Sequence, residues 1–238
     1  MKQLLILFLS LLLSSPLWAE RLVIGTSPFD PPMEIQTAKN NIFSGFEIDL
    51  VNEVCRRIQA TCVFEPMSFK EIMEAVAAGK VDLGMDGFFI TEERMKHYLF
   101  TQPYLQTKAQ LLSLRNPQIN AATINGKTIG VEKGTVFKEL LLKLYGNVNV
   151  IEYNNQQEIL EALSDRKIDL VMFDFIGATY WVNNSQGGFQ LVGPSMPFGF
   201  GYGIMAQFNK AALISRINKA LDDMENDGTY LAIYSRYF

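Results

Sequence analysis

Two hydrophobic periods alternate along this chain, and one block containing both of them occurs twice. Residues 71–85 read Glu-Ile-Met-Glu-Ala-Val-Ala-Ala-Gly-Lys-Val-Asp-Leu-Gly-Met, and residues 158–172 read Glu-Ile-Leu-Glu-Ala-Leu-Ser-Asp-Arg-Lys-Ile-Asp-Leu-Val-Met. Eight of the fifteen positions are identical, so the two blocks are expected to fold alike. Each predicts an amphipathic helix, a short break and an apolar strand. Each is followed by a carboxylate, Asp86 directly in the first copy and Asp174 after Phe173 in the second. Around the first block, residues 21–26 predict a buried strand that ends in the turn-prone Ser27-Pro-Phe-Asp-Pro-Pro32, a cleft-facing loop. Ile48, Val51, Val54, Cys55 and Ile58 form one buried helical stripe, with Glu47, Asp49 and Glu53 early and Arg56 and Arg57 late, as the helix macrodipole favours. Residues 62–65 fit a strand. Ser68 and Glu71 make a capping box for a helix through Ala78, which Gly79 ends, and residues 81–85 form the next strand. Residues 91–94 open a turn or short helix.

The second half repeats the alternation. Residues 128–131 predict a strand, Gly134-Thr135 a helix start, 136–145 the helix and 148–153 another strand, ahead of the second block. Strand and helix in turn argue for an α/β fold in two halves, each a mostly parallel sheet flanked by helices. Ligands of such sheets collect at the carboxyl ends of strands, where Asp86 and Asp174 stand. Glycine and proline concentrate in residues 193–203, before a C-terminal helix over 211–226. Crossings near 106–109 and 194–203 would join the halves as a two-strand hinge. Ordinary turns would use the same glycines.

The N-terminus has Lys2, an apolar run over 4–13 and then Ser14-Ser-Pro-Leu-Trp-Ala19, the form of a secretory signal peptide over 1–19. The whole chain carries 21 basic and 25 acidic residues, which leaves no electrostatic footprint for nucleic acid or an anionic membrane. Cys55 and Cys62, the only cysteines, are expected to pair in an exported chain rather than stay as free thiols. A metal site is not expected, since His97 is the only histidine and lies in what reads as a surface turn. Asp82 and Asp169, duplicated within the blocks, are expected to serve structure at the strand starts.

Gly45-Phe-Glu-Ile-Asp-Leu-Val-Asn-Glu-Val-Cys-Arg-Arg-Ile58 is similar to the signature of the family 3 periplasmic solute-binding proteins, which serve ABC importers of polar amino acids. Ile24-Gly-Thr26, Pro31-Pro32, Ile90-Thr-Glu-Glu-Arg94, Gly130-Val-Glu-Lys-Gly-Thr135, Ile168-Asp-Leu-Val-Met-Phe-Asp174 and Asp227-Gly-Thr-Tyr230 extend the resemblance over nearly all the mature chain. It implies a two-lobed periplasmic-binding-protein fold, the Venus flytrap. Lobe 1 would comprise 20–107 and 200–238, and lobe 2 would comprise 108–199. The cysteine pair resembles that of the lysine/arginine/ornithine-binding and arginine-binding branch. A monomer that delivers a free amino acid to an inner-membrane ABC permease, without cofactor, is what the resemblance implies.

An amino acid brings a carboxylate, an ammonium and a side chain, and each charge needs a partner when buried. Arg94 can grip the carboxylate bidentately, where the alternative is a surface ion pair with Glu92 or Glu93. Thr135 and Val136 amides, at a helix start, can add hydrogen bonds. By resemblance Asp174 takes the α-ammonium, and Gly87 lets the backbone approach with its carbonyl. The family pattern is departed from at Ser27, where an Asp is usual, at Asp86, where a Ser is usual, and at Phe89, which replaces a Ser. Asp30 stands where a Tyr of an aromatic sandwich is usual. The carboxylate has thus changed position without leaving the pocket, so Asp86, with Asp30 or Glu132, would receive a guanidinium or ammonium. Phe69 or Phe88 would stack on it; core packing is the bland reading of Phe88-Phe89. The expected ligand is arginine, then lysine or ornithine. The alternatives are a neutral polar ligand such as glutamine, or an exported enzyme resembling cyclohexadienyl/arogenate dehydratases with Asp86 or Glu132 as its acid.

Overall fold

The computed structural model describes residues 20–37 and 42–238; the signal peptide expected over 1–19 lies outside them. The first half holds β1 (Glu20–Thr26), β2 (Phe29–Asp30), β3 (Glu34–Thr37), β4 (Ile42–Ser44), α1 (Phe46–Arg57), β5 (Ala60–Pro66), α2 (Phe69–Ala77), β6 (Leu83–Gly84), α3 (Glu92–Met95) and β7 (Leu99–Phe100). The second holds β8 (Lys108–Leu114), β9 (Thr128–Glu132), α4 (Phe137–Leu144), β10 (Asn149–Tyr153), α5 (Gln156–Ser164), β11 (Leu170–Asp174), α6 (Phe175–Asn184) and β12 (Phe189–Pro197). The chain then returns through β13 (Met205–Ala206) to α7 (Ala211–Asn226) and α8 (Thr229–Tyr234). Two five-stranded sheets result, ordered β5-β1-β6-β13-β7 and β10-β9-β11-β8-β12. In each, an inner strand, β1 or β9, pairs in parallel with strands on both sides, and antiparallel strands close the far edge.

The second sheet shows why its strands read as unbroken apolar runs. Along β11, Leu170 and Met172 point into one cluster with Ile129, Leu140 and Leu141, while Val171 and Phe173 point into another with Ile159 and Leu163. Helices on both faces leave no polar side for alternation to record. In the first sheet, Leu22 and Ile24 pack with Ile48, Val51 and Val54 of α1 and with Ile214, Ile217 and Leu221 of α7. The disulfide between Cys55 and Cys62 ties the end of α1 to β5. So small a ring contributes about 2.5 kcal/mol by loop entropy, enough to hold a helix end but not to join two lobes.

The duplicated blocks form α2 with β6 and α5 with β11. Ser68 and Asn155 cap the two helices, Ser68 in the expected capping box with Glu71. Asp82 Oδ2 accepts from the Val23 amide at 2.9 Å, and Asp169 Oδ2 accepts from the Thr128 amide at 2.9 Å. Each acid therefore fastens its block to the parallel-paired inner strand of its own sheet, β1 or β9, the structural service expected of them. Lys210 pairs with Asp82 and Lys127 with Asp169.

Three expectations change. The strand expected over 81–85 is regular only at Leu83–Gly84, although the Asp82 and Met85 amides still donate to the Val23 and Gly25 carbonyls of β1. The loop after β1 contains strand as well as turn: β2, β3 and β4 make a small antiparallel sheet. The C-terminus adds α8, whose Tyr230 and Tyr234, with Tyr237 and Phe238, surround Phe46. The two crossings between the sheets lie side by side. The Tyr202 amide donates to the Leu105 carbonyl at 2.8 Å, and Tyr104 donates to the Tyr202 carbonyl at 3.1 Å.

Replacing Asp169 by Ala should lower unfolding free energy in urea by about 1–2 kcal/mol without changing ligand affinity. The same change at Asp82 should cost more, because its ion pair with Lys210, at 2.6 Å, is closer than that of Asp169 with Lys127, at 3.4 Å. Unchanged midpoints for both would remove the anchoring role.

Candidate functional site

The seam between the sheets is a narrow cleft lined by Asp30, Phe69, Asp86, Gly87, Phe89 and Arg94 from one side and Glu132, Thr135, Val136, Phe137, Gln156, Phe173 and Asp174 from the other. Its cavity volume is about 30 Å³, room for a water or two. A free amino acid therefore enters only when the lobes part. Several contacts hold them together. Arg94 Nη2 donates to the Gly134 carbonyl at 3.0 Å, Gln156 Nε2 donates to Asp30 Oδ1, and the rings of Phe89 and Phe137 meet edge to face at 5.6 Å. At the rim, Phe29 contacts Trp181 of α6 at 6.0 Å.

Arg94 is buried, 6% exposed, and forms no ion pair among the described residues; Glu92 and Glu93 do not hold it. Its Nη1 donates to the Phe89 carbonyl at 3.0 Å. Its guanidinium lies 5.2 Å from the Phe69 ring centroid and 5.5 Å from that of Phe88. The two rings, 4.5 Å apart, thus cradle Arg94. Burial lowers Arg94 to about 10, still charged at neutral pH. Its carbonyl partners satisfy donors without neutralising the charge, which stays available to an anion.

Asp174 is the N-cap of α6, where Oδ1 accepts from the Ile176 and Gly177 amides at 2.9 Å each. Capping fixes the carboxylate without exhausting it, since two oxygens offer about four acceptor positions. Burial raises its pKa, and the Gly177 amide, Tyr202 and the Ile176 amide oppose the rise. Gly87 adopts φ +52 beside Tyr202, and its amide donates to both oxygens of Glu47 at 3.1 and 3.2 Å. Tyr104 also donates to Glu47. At the start of α4, Thr135 donates through Oγ1 to the Glu132 carbonyl at 2.7 Å, and its amide reaches the same oxygen at 3.3 Å.

Two of the sequence candidates stand apart from the cleft lining. Ser27 turns its Oγ to the Phe29 amide at 3.2 Å, the bond of a tight turn into β2. Phe88 is fully buried under Arg94, while Phe89 reaches the cleft. The other eight line it together: Asp30, Phe69, Asp86, Gly87, Arg94, Thr135, Val136 and Asp174. Sequence reasoning missed Gln156, Glu34 and Glu47. Gln156 begins α5, two residues ahead of the duplicated block, where no sequence pattern assigned it a role. Glu34 lies on a strand that the hydrophobic pattern did not announce.

Carboxyl groups crowd this seam. Burial pushes Asp86 and Glu47 up to about 7 and raises Asp30, Glu34 and Glu132 well above the ordinary range, and mutual repulsion adds to the rise. One oxygen each of Asp30, Glu34 and Asp86 lies within 4.8 Å of the others. That spacing suits a shared positive charge, whether a proton, a ligand's ammonium or guanidinium, or a metal ion.

A model of the bacterial extracellular solute-binding proteins, family 3, matches residues 22–238. The ABC transporter arginine-binding protein 1 of Escherichia coli (strain K12) is 32% identical over 92% of this chain and 91% of its own. An arginine 3rd transport system periplasmic binding protein from Legionella pneumophila superposes with a TM-score of 0.89 at 38% identity, over 92% of this chain and all of that one. The ancestral amino acid-binding protein AncCDT-1, a precursor of cyclohexadienyl dehydratase, has a TM-score of 0.81 at 23% identity over 92% and 95%, a likeness of fold.

Acids with raised pKa values hold protons in the folded chain that they release on unfolding, so stability should fall as pH rises through their folded pKa values. Glu53, held near about 2 chiefly by Arg56, acts in the opposite sense but only at acid pH. Without ligand, the melting temperature should fall from about pH 5 to about pH 8, and Asp86→Asn should flatten the slope. Calorimetry across that range checks both; a melting temperature that climbs with pH would contradict the charge reading.

Proposed function

Since the chain belongs to the bacterial extracellular solute-binding proteins, family 3, we propose that it is the periplasmic binding component of an ABC amino acid importer. Its ligand is a basic amino acid, arginine first and lysine or ornithine after it. The observation that carries this reading is the cleft's charge: Asp30, Asp86, Glu132 and Asp174 surround a single guanidinium, Arg94. An acidic, buried cavity favours a ligand with excess positive charge.

The roles divide by what the ligand carries. Arg94 takes the α-carboxylate and exchanges its bond to the Gly134 carbonyl for a charge-assisted one. The Thr135 and Val136 amides add donors at the start of α4. Asp174, already oriented as an N-cap, takes the α-ammonium, with the Gly87 carbonyl beside it. Asp86 and Asp30 receive the distal cation, and Phe69 borders it from lobe 1. Because these groups come from both lobes, a ligand adds contacts only in the closed form and raises its population. A permease that recognises the closed form would then receive loaded protein, delivered as an exported monomer. Binding without chemistry suffices for this task.

Thermal shift of the mature protein against the twenty amino acids tests the reading. Arginine at one hundred times its dissociation constant should add about 2.7 kcal/mol of stability. Asp174→Asn should weaken every amino acid, and Asp86→Asn the cationic ones selectively. Failure of arginine, lysine and ornithine while a neutral amino acid binds would overturn the ligand class. Turnover of arogenate to an aromatic product would overturn the absence of chemistry.

A further inference from the structure

Strand β2 is two residues long, and both of them reach across the seam. Successive side chains of a strand leave on opposite faces; here Asp30 turns inward and is buried, while Phe29 turns outward and is 37% exposed. Asp30 meets Gln156, the first residue of α5. Phe29 meets Trp181 of α6, with ring centroids 6.0 Å apart and planes tilted by 51°. The tip of the small sheet is thus seated against two helices of the other lobe at once. Its own turn holds it there: Ser27 Oγ accepts from the Phe29 amide at 3.2 Å, and the Gln36 amide of β3 donates to the Pro28 carbonyl at 2.8 Å.

Trp181 is placed to receive the tip. Tyr180 meets its ring edge to face at 5.3 Å, and the indole packs on the cluster that holds Val171, Phe173 and Ile159. Its Nε1 is buried without a hydrogen-bond partner among the described residues, so packing positions the ring. Neither Phe29 nor Trp181 lines the amino acid cleft. This separates the ring pair from the other seam contacts. The bonds of Arg94 to Gly134 and of Gln156 to Asp30 use groups that a ligand would claim, whereas the ring pair runs from lobe to lobe outside the cleft. Its energy does not depend on what fills the cleft. It also stands beside the Asp30–Gln156 bond, where a ring pair keeps water away and strengthens the bond.

We propose that Phe29 and Trp181 form a rim lock that keeps the closed form predominant both with and without a bound amino acid. The lock governs how fast a ligand enters and leaves, and leaves its affinity nearly untouched. The inference rests on the reading of the cleft as an amino acid site and goes beyond it. Ligand passes only when the lobes part, so a lock common to both states slows entry and exit by the same factor. That factor cancels from the dissociation constant. A contact made only around the ligand would act on exit alone and would appear in full in the affinity.

Trp181 is the only tryptophan left once residues 1–19 are removed, so fluorescence of the mature protein reads the lock directly. Stopped-flow mixing gives the rate constants for arginine, and calorimetry gives the dissociation constant independently. In Phe29→Ala both rate constants should rise by about three- to tenfold, the worth of one aromatic pair, with the dissociation constant changed by less than about twofold. Phe29→Tyr, which keeps the ring, should keep the wild-type rates. Phe29→Leu should fall between, and carries the test should the alanine variant not fold. In ligand-free protein, acrylamide should quench Trp181 more readily in Phe29→Ala than in the wild type. Equal quenching, unchanged rates, or a rise in dissociation alone with affinity lost in proportion would each overturn the lock and leave the proposed function standing. A wild type that binds no basic amino acid sinks that ligand class instead, and the rate comparison then uses the amino acid that does bind.

Discussion

An ionised carboxylate removed from water costs several kcal/mol unless hydrogen bonds or an opposite charge replace its hydration. The seam between the two sheets confronts that cost with Asp30, Glu34, Glu47, Asp86, Glu132 and Asp174 around one guanidinium. Each acid is accommodated differently. Asp174 is bound into a helix cap, Glu47 takes the Gly87 amide and the Tyr104 hydroxyl, and Asp30 takes the Gln156 amide from across the cleft. Glu34 meets no amide, hydroxyl or cation and lies against the carboxyl groups of Asp86 and Glu47 instead. Under the proposed function, a cationic amino acid meets that imbalance with its own donors and charge.

Closure itself follows from the same seam. Among the described residues the contacts that join the lobes include one arginine–carbonyl bond, one amide–carboxylate bond and two ring pairs, Phe89 with Phe137 and Phe29 with Trp181, beside the paired crossings. Both hydrogen bonds use groups that a ligand would also contact. Arg94 and Asp30 hold the lobes to each other where a ligand would hold them through itself. Under the proposed function, a ligand that bridges the seam shifts the balance between open and closed forms by its own contacts.

The repeated blocks explain why the two halves can share a scaffold and still divide the chemistry. Where the copies agree, they build: capped helix, parallel strand, and an aspartate tied to an amide of the neighbouring parallel strand, β1 or β9. Where they stop, they diverge. After β6 the chain places Asp86 and the positive-φ Gly87 against Glu47 and Tyr202. After β11 it places Asp174 on the first turn of α6.

By itself the sequence determined the alternation of strand and helix, the capping box at Ser68, the extent of α7, the pairing of the cysteines and the structural service of Asp82 and Asp169. All of these are written in neighbouring residues, through hydrophobic period, cap chemistry and duplication. Asp86 and Asp174 were legible as cleft residues because each follows a predicted strand, and Arg94 only through the family resemblance, since its local sequence also fits a surface ion pair. Tertiary structure alone decided that Ser27 turns back to its own loop, that Phe88 supports Arg94 while Phe89 reaches the cleft, and that Gln156 meets Asp30 across 126 residues. It alone brought Glu34 to Asp86. The physical reason is that a buried carboxylate is defined by what surrounds it, and those surroundings come from a small sheet, a hinge and a second lobe that no local pattern records.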